Sequence, residues 1–241
     1  MQLTKWLIGL ALIVTLTACA APESAETAGE EPAAAGTETT EDTASEEALS
    51  SGEQANADFE DQLSGADLLA ALQAGGHIIY FRHAQTERDY ADQADPNMSL
   101  DDCESQRKLS AAGIQDAEDI GAAFTAQAIP VGQVVTSDYC RAWQTADLAF
   151  GRHEKDSRLN FLPFEEYTEA QVAEMKANLM PLLTPQPESG TNTVIVGHDD
   201  LFEAATGIYP EPQGIAYVLT PDGEGGFELV ANVLPAEWSE L

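Results

Sequence analysis

The chain has 241 residues, enough for one large domain or two small ones, and 44% of them are apolar, enough for a real core. Ten Lys and Arg stand against 42 Asp and Glu, a formal net charge of −32. So acidic a chain repels nucleic acid and anionic membrane surfaces, which removes both as partners held by charge. The acid excess reads as a solvating coat.

Met1 to Ala18 has the layout of an export signal: Lys5 supplies positive charge, and Trp6 to Ala18 is an uncharged apolar run of thirteen residues. A membrane span needs about 20 residues, so the run is a signal core rather than a span. Leu16-Thr17-Ala18-Cys19 resembles the lipobox of bacterial lipoproteins, whose cysteine is lipidated and becomes the new N-terminus. An ordinary secretory peptide with a chance cysteine is the plainer alternative. Ala20 after Cys19 implies, by that resemblance, the outer membrane of a bacterial envelope, facing the periplasm. Residues 19–61 are rich in Ala, Glu, Thr, Ser and Gly, with no Lys or Arg and one aromatic, Phe59. Such a stretch buries too little apolar surface to offset chain entropy, and it predicts a disordered tether.

The folded domain is expected over 62–241. Ala66 to Ala74 predicts a short helix stopped by Gly75-Gly76, and His77 to Phe81 a strand buried on both faces. Glu87 to Cys103 reads as a loop, in which Asp92, Asp95, Asp101 and Asp102 lack the ligand alternation of a calcium site. Ser110 can cap a helix whose apolar positions are Ile114, Ala117, Ile120, Gly121 and Phe124. Val131 to Thr136 is a second strand, Arg141 to Phe150 a helix, and Leu159 to Leu162 a third strand. Thr168 to Leu183 is an amphipathic helix, Thr193 to Val196 a strand, and Leu201 to Thr206 a short helix. Gly214 to Thr220 and Gly226 to Val233 alternate as a hairpin. Strands alternating with helices define an α/β class with a mainly parallel sheet between helix layers, a three-layer α/β/α sandwich. If Cys19 carries lipid, Cys103 and Cys140 are left either as a disulfide pair or as two free thiols.

Three segments place cations or imidazoles just after strand-like runs: Arg82-His83-Ala84-Gln85-Thr86, Ser137 through Arg141 to Ala146, and Gly197-His198-Asp199-Asp200. In a parallel sheet all three reach the carboxyl edge, where ligands gather. Two guanidiniums and two imidazoles there suit a phosphate dianion. His77 and His153 read as structural or solvated, and Trp143 as helix packing rather than a substrate platform.

In their order and spacing these segments resemble the histidine phosphatase superfamily, the phosphoglycerate mutase-like fold. Arg82 to Thr86 is similar to its RHG-x-T signature, with Ala84 in place of Gly. Ser137 to Ala146 is similar to S-x-x-x-R-A-x-Q-T-A, Leu109 to Gly113 to L-S-x-x-G, and Gly197-His198 to the late G-H. The resemblance implies a phosphohistidine on His83, with Arg82, Arg141 and His198 holding the phosphoryl oxygens and Thr86 and Arg107 as further contacts. It requires no metal or other cofactor and implies a small phosphorylated substrate. The acid that protonates the leaving oxygen is Asp199 by one branch of the family, and Glu165 or Glu166 by another; Asp199 is also a simple helix N-cap. Two readings stay open: an exported, lipid-anchored phosphatase, and a non-catalytic lipoprotein that binds phosphate or a phosphorylated envelope sugar.

Overall fold

The computed structural model describes residues 48–88, 98–162 and 166–241. The export signal, Cys19 and the acidic stretch up to residue 47 lie outside these, as do Asp92, Asp95 and Glu165.

The apolar runs assemble into one six-stranded sheet: β1 (Ile78–Arg82), β2 (Val131–Thr136), β3 (Glu154–Lys155), β4 (Asn192–Gly197), β5 (Ala216–Pro221) and β6 (Phe227–Val233). Their order is β3-β2-β4-β1-β5-β6. β3, β2, β4 and β1 are mutually parallel, while β5 runs antiparallel to both β1 and β6. The α-helices are α1 (Ser51–Ala57), α2 (Gly65–Ala74), α3 (Ala111–Ala126), α4 (Cys140–Phe150), α5 (Glu169–Leu183) and α6 (Asp199–Thr206).

Every residue of β1 is buried, which accounts for its unbroken apolar run. Side chains along a strand alternate between faces, and here they divide two cores. Ile79 and Phe81 pack with Leu68 and Leu72 of α2, Ile120 and Phe124 of α3, and Ala142 and Ala146 of α4. Ile78 and Tyr80 pack with Met175, Leu179 and Leu183 of α5 and with Leu201 and Phe202 of α6. Helices therefore cover both faces of the sheet, giving the three-layer α/β/α sandwich. Burial of each such side chain contributes about 1.5–3 kcal/mol, so both layers are integral to the sheet.

The helix starts follow local chemistry. Ser110 Oγ accepts the Gly113 N–H at 3.0 Å at the head of α3. Thr168 and Gln171 form a reciprocal capping box at the head of α5. A Cβ on Gly113 would lie 2.1 Å from the Gln85 carbonyl oxygen, so only glycine lets α3 approach the chain just beyond His83.

Three expectations need correction. The fold begins before Gln62: α1 carries a capping box between Ser50 and Glu53, and Asn56 accepts from Tyr217 Oη at 2.6 Å and donates to the Glu211 carbonyl at 3.0 Å. Composition signals chain entropy but not such single, well-placed polar partners. The third strand is Glu154–Lys155, not Leu159 to Leu162. Asp156 accepts the Arg158 N–H and opens a 3₁₀ turn over Ser157–Leu159, so Leu159 is buried without joining the ladder. Ile114 sits in the first turn of α3 and is 40% exposed, on the rim of a cleft shared with Trp143 and Leu148.

Candidate active site

The strand order brings the three motifs together. β1 and β4 are neighbours and β2 adjoins β4, so Arg82-His83, Gly197-His198 and Ser137 leave the sheet at one edge. Arg141 follows as the second residue of α4. The rings of His83 and His198 meet edge to face with centroids 5.4 Å apart. Arg82, His83, Arg141 and His198 are all almost fully buried.

His83 is held in one tautomer. Its Nδ1 lies 2.9 Å from the Ala84 carbonyl oxygen, which can only accept, so Nδ1 carries the proton. Nε2 then presents its lone pair, and Arg141 Nε–H donates to it at 3.1 Å. Burial, followed by the neighbouring Arg141 charge, pushes the His83 pKa well below the usual imidazole value. The ring is thus a neutral nucleophile beside a cation. Ala84 does not disturb this arrangement: its methyl is buried with Leu109 and Ala117, and its N–H donates to Thr145 Oγ1 at 3.0 Å. Thr145 in turn donates to the Arg141 carbonyl, coupling the two motifs.

His198 is pinned through its backbone. Tyr80 Oη donates to the His198 carbonyl at 2.7 Å and accepts its N–H at 3.0 Å. A Cβ on Gly197 would lie 2.3 Å from that phenol oxygen, which explains glycine before the histidine. The His198 ring stands edge-on to Tyr139 and Phe161, with Nε2 2.8 Å from Ser137 Oγ and Nδ1 buried without a hydrogen-bond partner. Burial first, then Arg141 and His83, lowers its pKa well below the usual value. Tyr80 escaped the sequence reading, where it counted only as a strand residue; the available signal was a buried phenol, whose hydroxyl requires a partner.

Arg82 has a different setting. Its Nη2 pairs with Asp199 Oδ2 at 2.5 Å, and its Nη1 pairs with Glu211 and donates to the Pro210 carbonyl. Its Nε is buried without a hydrogen-bond partner. Burial works against the charge, but Asp199, Tyr209 and Glu211 outweigh it and raise the Arg82 pKa. Asp199 also accepts from Tyr209 Oη at 2.7 Å. It is the first residue of α6, whose N-cap is His198, so the simple N-cap reading of Asp199 does not hold. Glu211 and Gln213 belong to the segment between α6 and β5. Gln213 Oε1 accepts from both the N–H and the hydroxyl of Thr86, so Thr86 is engaged within the protein.

Arg107 also reaches the site: its charge contributes to lowering the pKa of both His83 and His198. It lines a cleft of about 400 Å³ together with Thr86, Arg88, Glu211 and Gln213. Cys103 and Cys140 form a disulfide with Cα atoms 5.6 Å apart. Of the acid candidates, Glu166 is exposed and Glu165 lies outside the described residues. Asp200, not singled out beforehand, has its pKa pushed up to about 7 by burial and by Asp199 beside it. Among the described residues, no group of three or more His, Cys, Asp or Glu is placed to hold a metal ion.

Two imidazoles and two guanidiniums therefore meet at the carboxyl edge of the parallel strands, with the charge of Arg107 reaching both rings. The sequence profile of the histidine phosphatase superfamily (branch 1) matches residues 78–204, more than half of the chain, and the chain belongs to that superfamily. No curated protein matches it by sequence. Among solved structures it is similar to a putative phosphohistidine phosphatase SixA from Agrobacterium tumefaciens, at 20% identity, covering 66% of this chain and 98% of that one, with a TM-score of 0.43. It is also similar to a putative alpha-ribazole-5'-P phosphatase from Escherichia coli, at 16% identity, covering 66% and 97%, with a TM-score of 0.47. A mycobacterial glucosyl-3-phosphoglycerate phosphatase complexed with VO3 matches at 16% identity, covering 64% and 97%, with a TM-score of 0.45.

Proposed function

We propose that the protein is an exported, lipid-anchored phosphatase that hydrolyses small phosphomonoesters without a metal, through a phosphohistidine on His83. The observation that carries this reading is the state of His83: buried, neutral, protonated on Nδ1 by the demand of a carbonyl, with the Nε2 lone pair beside Arg141. The Nε2–P bond forms as the ester P–O bond breaks, and the leaving oxygen takes a proton. Water then attacks phosphorus, returns the proton, and releases inorganic phosphate with the ring restored. Arg141, the Nε of Arg82 and Nδ1 of His198 are the groups for the equatorial oxygens, the last two being buried polar atoms otherwise unsatisfied.

We assign the proton to the Asp199–Asp200 pair. Asp199 faces Arg82 and Tyr209 as an acceptor, while Asp200 retains a proton near neutral pH. Glu165 is the competing donor. The reading of an anchor at the bacterial envelope is supported by Lys5, the apolar run and Cys19, whose layout resembles a lipoprotein signal.

The test is hydrolysis of p-nitrophenyl phosphate by the purified chain, beside His83→Ala and with chelator present. Turnover that survives chelation and falls at least about 100-fold in the variant is expected. Equal rates in parent and variant remove the proposal; phosphate binding without turnover favours the binding-protein reading. Asp199→Asn, Asp200→Asn and Glu165→Gln, measured with p-nitrophenyl phosphate and with a poorer leaving group, locate the donor.

A further inference from the structure

We propose that the Cys103–Cys140 disulfide is a positioning device for Arg107, so that its redox state sets the affinity of the site for phosphate; this rests on the phosphatase reading only for its kinetic arm. The charge of Arg82 is already offset by Asp199 and Glu211. Its field, like those of Arg141 and Arg107, still reaches both histidines. Arg141 is fixed by a helix. Arg107 is not: it follows a single 3₁₀ turn, Cys103–Ser105, in a segment that contributes no strand to the sheet.

The attachment of that segment converges on one residue. Cys140 holds Cys103 covalently, and its backbone N–H donates to Gln106 Oε1 at 2.9 Å. The Gln106 amide donates to the carbonyls of Ser99 and Leu100, at 3.1 and 3.2 Å, closing the segment on itself. The residue after Cys140 is Arg141, and the residue after Gln106 is Arg107. The bridge, between cysteines 37 positions apart in sequence, therefore ties the segment of Arg107 to the start of the helix that carries Arg141. On the far side, the Thr86–Leu109 bridge, the Glu87 N–H on the Lys108 carbonyl and the Ser110 N–H on the Gln85 carbonyl join the end of the segment to the motif of His83.

The disulfide lines a cleft of about 430 Å³ with Arg107 and Trp143, and Cys103 is partly exposed there while Cys140 is buried. A small dithiol can attack the Cys103 sulfur, releasing the Cys140 thiolate; its second thiol then resolves the mixed disulfide. The products are two protein thiols and one oxidised dithiol. Loss of the cross-link restores the freedom of the segment, and Arg107 no longer keeps its place.

The experiment uses the full chain, oxidised or reduced with dithiothreitol, with thiols counted to confirm complete reduction. The readouts are KM and kcat for p-nitrophenyl phosphate and the affinity of inorganic phosphate by calorimetry; calorimetry needs no turnover and so separates this proposal from the phosphatase reading. Reduction is expected to raise KM and weaken phosphate binding about tenfold, with kcat changed less than about threefold, and reoxidation to restore both. Arg107→Ala should show the same weakening when oxidised, and no further loss on reduction. Unchanged phosphate affinity after full reduction, or an equal fold-loss on reduction in the Arg107→Ala background, overturns the proposal. If near-ultraviolet dichroism shows that reduction melts the chain, Cys103→Ala/Cys140→Ala, measured below its melting midpoint, is judged by the same two criteria.

Discussion

Arg82 and Arg141 both stand at the sheet edge that carries His83, in different surroundings. Arg82 is gripped by Asp199, Glu211 and a carbonyl, with Tyr209 beneath its guanidinium. Arg141 lies over the rings of Tyr139 and Phe161 and donates to His83 itself. Carboxylates fix a cation and offset its charge, and an aromatic face adds a separate attraction for a guanidinium. Two arginines of one motif set thus sit in unlike environments. On the proposed function, Arg141 acts on the nucleophile and the transferred group, while Arg82 offers its Nε to the transferred group and also organises the wall that carries Asp199.

The sharpest break of that contrast is Arg141→Ala against Arg82→Ala. Arg141→Ala should lower kcat by about 100- to 1,000-fold, the scale of a lost transition-state donor, with a modest change in melting midpoint. Arg82→Ala should lower kcat less and stability more, by about 3 kcal/mol, because it strands the largely buried Asp199; Glu211, more than half exposed, adds little. Equal kinetic losses in the two variants would erase the distinction.

Asp200→Asn sharpens it through pH. Asp200, flanked by Asp199, Tyr167, Arg82 and Glu203, has its pKa raised from 3.8 to about 7. Between those values the native chain holds a proton that the unfolded chain has lost, so this stabilisation disappears as pH rises through the window. The variant should be flatter from about pH 4 to 7 and more stable than the parent above it. His83 and His198 have the opposite sign: with pKa values lowered from 6.5, they favour the fold at neutral pH and lose that contribution as pH falls below it. Thermal melts of parent and Asp200→Asn across pH check both.

Asn56→Ala gives the smallest effect. It removes the contacts to Tyr217 and to the Glu211 backbone, at a cost of about 1–3 kcal/mol by urea unfolding. It also loosens the segment that holds Arg82. A chain started at Gln62 should lose at least as much.

What the sequence disclosed and what it hid follow the range of the forces involved. The strands β1 and β4 were legible because burial on both faces leaves near-continuous apolar runs, β2 from its three valines, and the Ser110 and Thr168 caps because capping is local. Placing His83, Arg141 and His198 at one edge needed only the rule for parallel sheets. Hidden were partners set by topology alone: Tyr80 on the backbone of His198, and Glu211 and Gln213 on Arg82 and Thr86. Those pairs lie more than a hundred residues apart and carry no periodic signal. The β3 strand was missed because two residues are too few to leave a pattern. α1 was missed because its anchoring comes from a few scattered contacts, the Gly52 carbonyl, Ala55 and Asn56, rather than from a periodic apolar face.

The central claim is that His83 Nε2 forms a bond to phosphorus. Rapid acid-free quenching of the chain during turnover of a phosphomonoester labelled on phosphorus tests it directly. One acid-labile, base-stable phosphate on the peptide carrying His83, absent from His83→Ala, is the expected result. Continued turnover with no phosphate ever bound to the chain would contradict the account.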